Sequence, residues 1–320
     1  MNTANIDRVS IIVIARNEPF IKYTLKSLKL QSVKPYEVIV VVDSQTDISA
    51  KIAERFADEL PIKVVINDVK PGYGGARKKG CEVARGNVIA FIDADTIAPP
   101  WWIRRVIENL QESPVVAGSA VSIQKSEVER LFEKLLNLSE PNKCDKRYVN
   151  FAPTQNFAFK REVLSVVGNF DENFDIGGED YDLCLRLKKI GLPIIQDPCN
   201  YVFHVEHKMK LKKAWRDGKA RAKIFLKHGV YVIRDATICF FHGLILFALP
   251  ATITLTLLGS IVAIPFIVLT VMSLAHRLYR ALVWWREGNA IHNTLIESLK
   301  IYASHIAFVI EVFKKVFRAT

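Results

Sequence analysis

The chain has 320 residues, room for about two domains with their own cores, and half of it is hydrophobic although its formal charge is +11. That composition excludes a disordered chain, a collagen-like repeat and a small disulfide scaffold. A basic excess suggests nucleic acid or other acidic partners, but basic soluble domains are rarely so apolar, so charge and apolarity belong to different segments.

Position resolves the conflict. Residues 1–206 hold 27 basic and 28 acidic side chains, whereas 207–234 hold ten basic residues against one acid, Asp217. Residues 236–275 contain no Lys, Arg, Asp or Glu. The expected organisation is a near-neutral domain over 1–206, a basic amphipathic region over 207–235, an uncharged block over 236–275 and a tail over 276–320.

From the N-terminus, 9–16, 37–43, 62–68 and 87–95 are short apolar runs expected as strands, with helices near 19–30, 48–59 and 74–85 between them. Continuous rather than alternating apolarity implies burial on both faces, as in an α/β parallel sheet covered by helices. Ligands of such sheets sit beyond the carboxyl ends of the strands, which here are Ala15-Arg16-Asn17-Glu18, Asp43, Asn67-Asp68 and Asp93-Ala94-Asp95. No glycine follows the first strand, which argues against NAD, FAD and a glycine-rich phosphate loop of the pyrophosphorylase kind. The cluster Gly72-Tyr73-Gly74-Gly75 instead opens the third helix, where backbone can approach a phosphate with Arg77 supplying charge, or can simply turn.

Asp93 and Asp95 are the strongest chemical signal. At i and i+2 of a strand their carboxylates point to one side, and a hard divalent cation would relieve their repulsion. A solvated acidic turn needs the same residues, but a strand end is where a ligand is expected. Further on, Gly177-Gly178 precede Glu179 and Asp180 at the start of a helical pattern. Those acids either complement the helix dipole or are carried by the glycines into a cleft, as a general base requires.

The order VSIIVIARNE, VVVDSQTD, GYGGARKKG, FIDADT, NFAFKREVL and GGEDYDLCLRLKKIG resembles the family 2 glycosyltransferases with the GT-A fold, over roughly the first two thirds of the chain. The resemblance implies a Rossmann-like sheet and inverting transfer from a UDP- or GDP-sugar with Mg²⁺ or Mn²⁺. It implies that Ala15, Arg16, Asn17 and Glu18 line the nucleotide pocket and that Asp43 and Arg77 bind base and phosphates. Asp93, followed by Ala94, would contact the ribose or sugar, and Asp95 would ligate the metal. Asn156, Phe157 and Gly178 would belong to the acceptor and sugar pocket, and Asp180 would be the base with Glu179 beside it. His204 stands where some members supply a further metal ligand; a loop histidine is the simpler reading.

The uncharged block is 40 residues long, and as helix it would measure about 60 Å, twice a bilayer's hydrocarbon thickness. Two transmembrane helices turning near Gly259-Ser260 fit, with both outer ends cytoplasmic by the positive-inside rule; a buried hairpin is the soluble alternative. The first ten residues lack a signal pattern, so the expected location is a multi-pass cell-membrane protein with a cytosolic catalytic domain. Leu211, Ala214, Trp215, Gly218, Ala222, Phe225 and Leu226 recur at spacings of three or four among lysines, an amphipathic helix suited to anionic membrane lipids. Residues 301–313, with His305 and Glu311, read as interfacial or re-entrant. Five cysteines without a C-x-x-C pair fit a reducing compartment as small buried residues.

The expected function is transfer of a sugar to a hydroxyl of a membrane-associated, polyprenyl-linked acceptor in glycan or glycolipid synthesis. The alternatives are a polyprenyl-phosphate sugar synthase and a non-catalytic nucleotide-sugar-binding membrane protein. Nucleic acid is not an expected partner, because the first domain is not basic.

Overall fold

The computed structural model describes residues 7–68, 70–206, 211–229 and 291–318. The chain divides into two compact units, Met1–His207 and Lys208–Thr320.

The first unit is built on a nine-stranded mixed sheet. Its first half alternates strand and helix: β1 (Val9–Ala15), α1 (Ile21–Lys29), β2 (Glu37–Val42), α2 (Ile48–Glu54), β3 (Ile62–Ile66), α3 (Tyr73–Val83) and β4 (Val88–Ile92). β3, β2, β1 and β4 lie side by side and parallel. The second half adds β5 (Thr96–Ile97), α4 (Trp102–Asn109), β6 (Val115–Ile123), α5 (Val128–Lys134), β7 (Arg147–Val149), β8 (Asn156–Lys160), α6 (Val163–Val167), α7 (Glu179–Lys189) and β9 (Ile194–Val205). β8 joins β4 antiparallel with Phe91 opposite Phe157, and the sheet continues through β6 and β9 to β5, with β7 also pairing β9.

The continuous apolar runs have the predicted consequence. Ile11 and Val13 pack with Leu25, Leu28, Trp102 and Ile103 on one face, while Ile12, Ile39 and Val41 pack with Cys81, Phe159, Leu183 and Leu187 on the other. Each such side chain contributes about 1.5–3 kcal/mol on burial, so the sheet is a rigid support for the loops at its carboxyl edge.

One expectation needs correction here. Cys144 and Cys199 form a disulfide with Cα atoms 5.6 Å apart, so not all cysteines are incidental. Their separation of 55 residues leaves no local pattern; β9 and the loop before β7 bring them together. Cys81 and Cys184 are buried free thiols, and burial pushes Cys184 up to about 12. Residues 301–313, read from sequence as interfacial or re-entrant, lie within a 28-residue helix, α9 (Ile291–Arg318).

In the second unit α9 packs on α8 (Leu211–His228). Gly218 allows the approach, since a Cβ there would lie 1.9 Å from the Ser304 carbonyl oxygen. Ala222, Phe308, Val309 and Val312 form the seam, with the Phe225 and Phe308 rings 5.9 Å apart. Leu211 and Leu226 remain exposed near Lys212, Lys213 and Lys227. The two spans expected over 236–275 lie outside the described residues. Among the described residues no helix is long and apolar enough to cross a membrane.

Candidate active site

β4 stops at Ile92, so Asp93 and Asp95 sit in a turn closed by the Thr96 N–H donating to the Asp93 carbonyl at 3.1 Å. This replaces the simple strand alternation expected from sequence. Convergence comes from the neighbouring strand: β5 pairs Thr96 with His204, and the Val205 N–H donates to the Asp95 carbonyl at 2.9 Å. His204 Nε2 lies 3.4 Å from Asp95 Oδ1, and one ligand atom from each of Asp93, Asp95 and His204 falls within 4.8 Å of the others. Two carboxylate oxygens and an imidazole nitrogen are a donor set that suits Mn²⁺ and accommodates Mg²⁺ with added water. Burial pushes the Asp93 carboxyl above its ordinary range; Arg77 opposes that shift and the Asp95 charge adds to it. A bound cation would relieve both the burial cost and the repulsion.

The glycine cluster turns out to be a docking surface. The Tyr73 N–H donates to the Asp175 carbonyl at 3.1 Å and the Gly74 N–H to the Phe174 carbonyl at 3.0 Å. A Cβ on Gly74 would stand 2.2 Å from the Asp171 carbonyl oxygen, and one on Gly75 2.0 Å from that of Lys70. The first two amides of α3 are therefore spent on the loop that leads to α7.

Arg77, one turn into α3, is buried. Its Nη1 donates to Glu179 Oε1 and its Nη2 to Asp93 Oδ1 at 3.3 Å. Burial disfavours the guanidinium charge, but Glu179, Asp93 and Asp180 together outweigh that cost and hold its pKa above the usual value. Glu179 and Asp180 occupy the first turn of α7, entered through Gly178 in the left-handed region at φ 93°. Burial raises the Glu179 carboxyl to about 7 in spite of Arg77, and burial likewise raises Asp180. Asp180 Oδ1 accepts from the Tyr181 N–H at 2.7 Å. A partly buried carboxyl with an elevated pKa is suited to take a proton.

The nucleotide-side residues are organised as a group. Arg16 and Asn17 are exposed after β1, whereas Ala15 is buried. Asn17, at φ 50°, donates its N–H to both Asp47 oxygens at 3.0 and 2.9 Å, and the Glu18 N–H donates to Ser49 Oγ at 2.9 Å. Asp43 Oδ1 accepts from Asn67 Nδ2 at 2.8 Å and from the Gly72 N–H at 3.3 Å, which ties the second strand end to the glycine turn. Ala94 is buried with its carbonyl accepting from Thr24 Oγ1. Asn67 was among the strand-end residues singled out from sequence, whereas Asp47 was passed over although it carried a signal, since an Asp before a helix is an N-cap, and its carboxylate accepts the Ser49 N–H.

Asn156 and Phe157, expected in the acceptor and sugar pocket, are both buried. Asn156 is 3 % exposed, its Nδ2 donates to the Ser119 and Asn200 carbonyls and its Oδ1 accepts from Trp102 Nε1. Phe157 packs in the core against Phe159. Both sit on the inner strand β8, flanked by β4 and β6.

Known proteins place these features in a family. Residues 10–168 match the profile of "Glycosyl transferase family 2". The chain is 28% identical over 224 residues to a glucosyl-dolichyl phosphate glucuronosyltransferase of Haloferax volcanii, covering 63% of this chain and 69% of that protein. It is 30% identical over 203 residues to the amylovoran biosynthesis glycosyltransferase AmsB of Erwinia amylovora, covering 58% of this chain and 65% of that one. The fold is similar to that of the mannosyltransferase PcManGT from Pyrobaculum calidifontis, solved with GDP-Man and Mn²⁺. The TM-score is 0.63 at 22% identity, over 97% of this chain and 88% of that one. The mixed sheet is thus GT-A-like, and the chain is an enzyme that belongs to the family 2 glycosyltransferases.

Proposed function

We propose that the protein is an inverting, metal-dependent glycosyltransferase that moves a sugar from a UDP- or GDP-sugar to a hydroxyl of a lipid-linked acceptor at the membrane. One observation carries the reading. The Asp180 helix and the Asp93/Asp95/His204 cluster are joined through a single guanidinium, Arg77. That link would bring a base and a metal-suited acidic turn to one reaction volume.

Asp93, Asp95 and His204 would hold Mg²⁺ or Mn²⁺, which when bound supplies charge neutralisation of the leaving diphosphate. The chain's own residues do the rest. The Arg16–Glu18 loop and Asp43 present the carboxyl edge of the sheet to the nucleotide. The Asp180 carboxylate accepts the proton of the acceptor hydroxyl as that oxygen bonds to the anomeric carbon. The bond from that carbon to the diphosphate breaks, and the diphosphate departs with the electron pair. One displacement inverts the anomeric configuration.

The lipid-linked acceptor rests on the second unit and on a relative. α8 buries Ala214, Gly218 and Ala222 of its apolar stripe but leaves Leu211 and Leu226 exposed, with Lys212, Lys213 and Lys227 beside them, side chains suited to anionic lipid, and the Haloferax protein is named for a dolichyl phosphate substrate. Two spans over 236–275, with a cytosolic catalytic unit, would complete the anchoring. The test is incubation of the protein in membranes with nucleotide sugars and Mn²⁺ or Mg²⁺, followed by mass spectrometry of extracted lipids. Sugar appearing on a lipid-linked glycan supports the reading; sugar appearing on a bare polyprenyl phosphate favours the synthase alternative.

A further inference from the structure

We infer that Arg77 is a positioning residue that fixes the base-bearing turn against the metal-site turn, instead of the phosphate ligand its family position implies, and that Glu179 is its buried anchor. The inference rests on the proposed function for the meaning of "base" and "metal site", and on the structure for everything else.

Three observations carry it. First, Arg77 and its anchor are both 4 % exposed, and the two terminal nitrogens of the guanidinium are engaged by carboxylates from different segments, Glu179 on α7 and Asp93 after β4. A diphosphate would have to displace one of them. Secondly, the neighbouring amides that would join Arg77 in gripping a phosphate, those of Tyr73 and Gly74, already donate to Asp175 and Phe174. The Tyr73 and Gly74 amides and, one turn on, the Arg77 guanidinium are thus all directed at residues 171–179. Thirdly, Arg77 Nε and Glu179 Oε2 are buried without a hydrogen-bond partner. A buried ion pair with unsatisfied atoms adds little net stability, so the consequence of this one is geometric. The planar fork of an arginine fixes the angle between two carboxylates, which a lysine's point charge cannot do. Because Glu179 immediately precedes Asp180, an anchor on one sets the direction of the other.

The Tyr73 ring, 5.9 Å from the guanidinium carbon, adds a further contact from the same helical turn. A dipole-complementing role for Glu179 would leave it solvated at the helix start; its burial against Arg77 does not match that.

The experiment uses the full chain in nanodiscs, as wild type, Arg77→Met, Arg77→Lys, Glu179→Gln and the double variant Arg77→Met/Glu179→Met. Calorimetry with UDP and with GDP, each with MnCl₂, reads donor-side binding; hydrogen exchange reads residues 171–182; donor turnover reads catalysis. Expected are nucleotide dissociation constants within about threefold of wild type, faster exchange over 176–182, and turnover lowered about 50-fold or more with donor KM little changed. Arg77→Lys should recover less than tenfold of that loss, and the double variant should be no worse than the poorer single one, as expected of two residues acting as one unit. A tenfold or greater weakening of Mn²⁺–nucleotide binding by Arg77→Met, with exchange over 176–182 unchanged, would show a phosphate ligand and overturn the inference. If Arg77→Met does not fold, Glu179→Gln keeps shape and an acceptor oxygen and carries the same split; wild-type turnover in that variant would overturn the inference equally. Failure of the wild type to bind either nucleotide would sink the functional reading, while the exchange measurement would still decide the role of Arg77.

Discussion

Replacing Gly74 with alanine should disable the enzyme without touching a reacting group. The added Cβ would stand 2.2 Å from the Asp171 carbonyl oxygen and 3.1 Å from that of Phe174. Ordinary non-bonded separation is about 3.5 Å, so the loop before α7 must retreat by roughly 1 Å. Overpacking of this kind costs about 1–3 kcal/mol, which for a unit of this size lowers Tm by roughly 3–10 °C. The catalytic effect is larger, because a displacement of about 1 Å at the reacting centre can cost about 10²-fold in rate. Expected in a transfer assay is therefore a turnover loss near two orders of magnitude, with Mn²⁺–nucleotide binding retained in calorimetry. Gly191→Ala is the control: at φ 70° it is strained, but nothing lies within 4 Å of its Cβ, so it should lower Tm and keep turnover. A Gly74→Ala enzyme with turnover within threefold of wild type, or an equal loss in Gly191→Ala, would refute the idea that this turn places the base.

Four further outcomes are expected. Asp180→Asn should lower transfer by about 10²–10⁴-fold while leaving nucleotide affinity unchanged, and near-normal turnover would remove Asp180 from the base role. Asp95→Ala and His204→Ala should weaken Mn²⁺-dependent nucleotide binding, with calorimetry as the check; unaltered binding in both would count against the cluster of Asp93, Asp95 and His204. The Glu179 carboxyl is held up to about 7 by burial, so the folded state binds its proton more tightly than the unfolded chain and this contribution to stability is lost as pH rises from about 4.5 through 7. Accordingly the Tm of wild type relative to Glu179→Gln should fall between pH 5 and 8, and a flat or rising difference would contradict the burial effect. Cys199→Ser should cost about 2–4 kcal/mol, as expected for opening a cross-link between residues 55 apart, and the wild type's intact mass with and without reductant should differ by one disulfide while the variant's should not.

What the sequence made legible follows from how local each signal is. The strands β1, β2 and β4 could be read because burial on both faces requires unbroken apolar runs, and their carboxyl ends pointed to Asp43, Asp93 and Asp95 without any knowledge of pairing. His204 lies more than 100 residues from Asp95 in sequence, and only the β5–β9 pairing brings them together. The glycine cluster was visible, but its purpose was not: a close approach of α3 to the loop at 171–175 leaves the same signature as a phosphate turn. Asn156 and Phe157 show the converse. Their family position suggested a pocket, while both side chains are buried on β8, and the Asn156 amide is engaged by Trp102 and by the Ser119 and Asn200 carbonyls. The Cys144–Cys199 pair, like the buried Arg77–Glu179 pair, is a product of tertiary structure that no spacing rule announces.

The most direct measurement takes the protein in native membranes with a panel of UDP- and GDP-sugars and Mn²⁺, and follows both the lipid product and its anomeric configuration. Attachment of one sugar to a hydroxyl of a lipid-linked glycan, with inversion and with loss of the product in Asp180→Asn, is the expected result. Retention of configuration, or an unchanged product yield in Asp180→Asn, would contradict single displacement at this site.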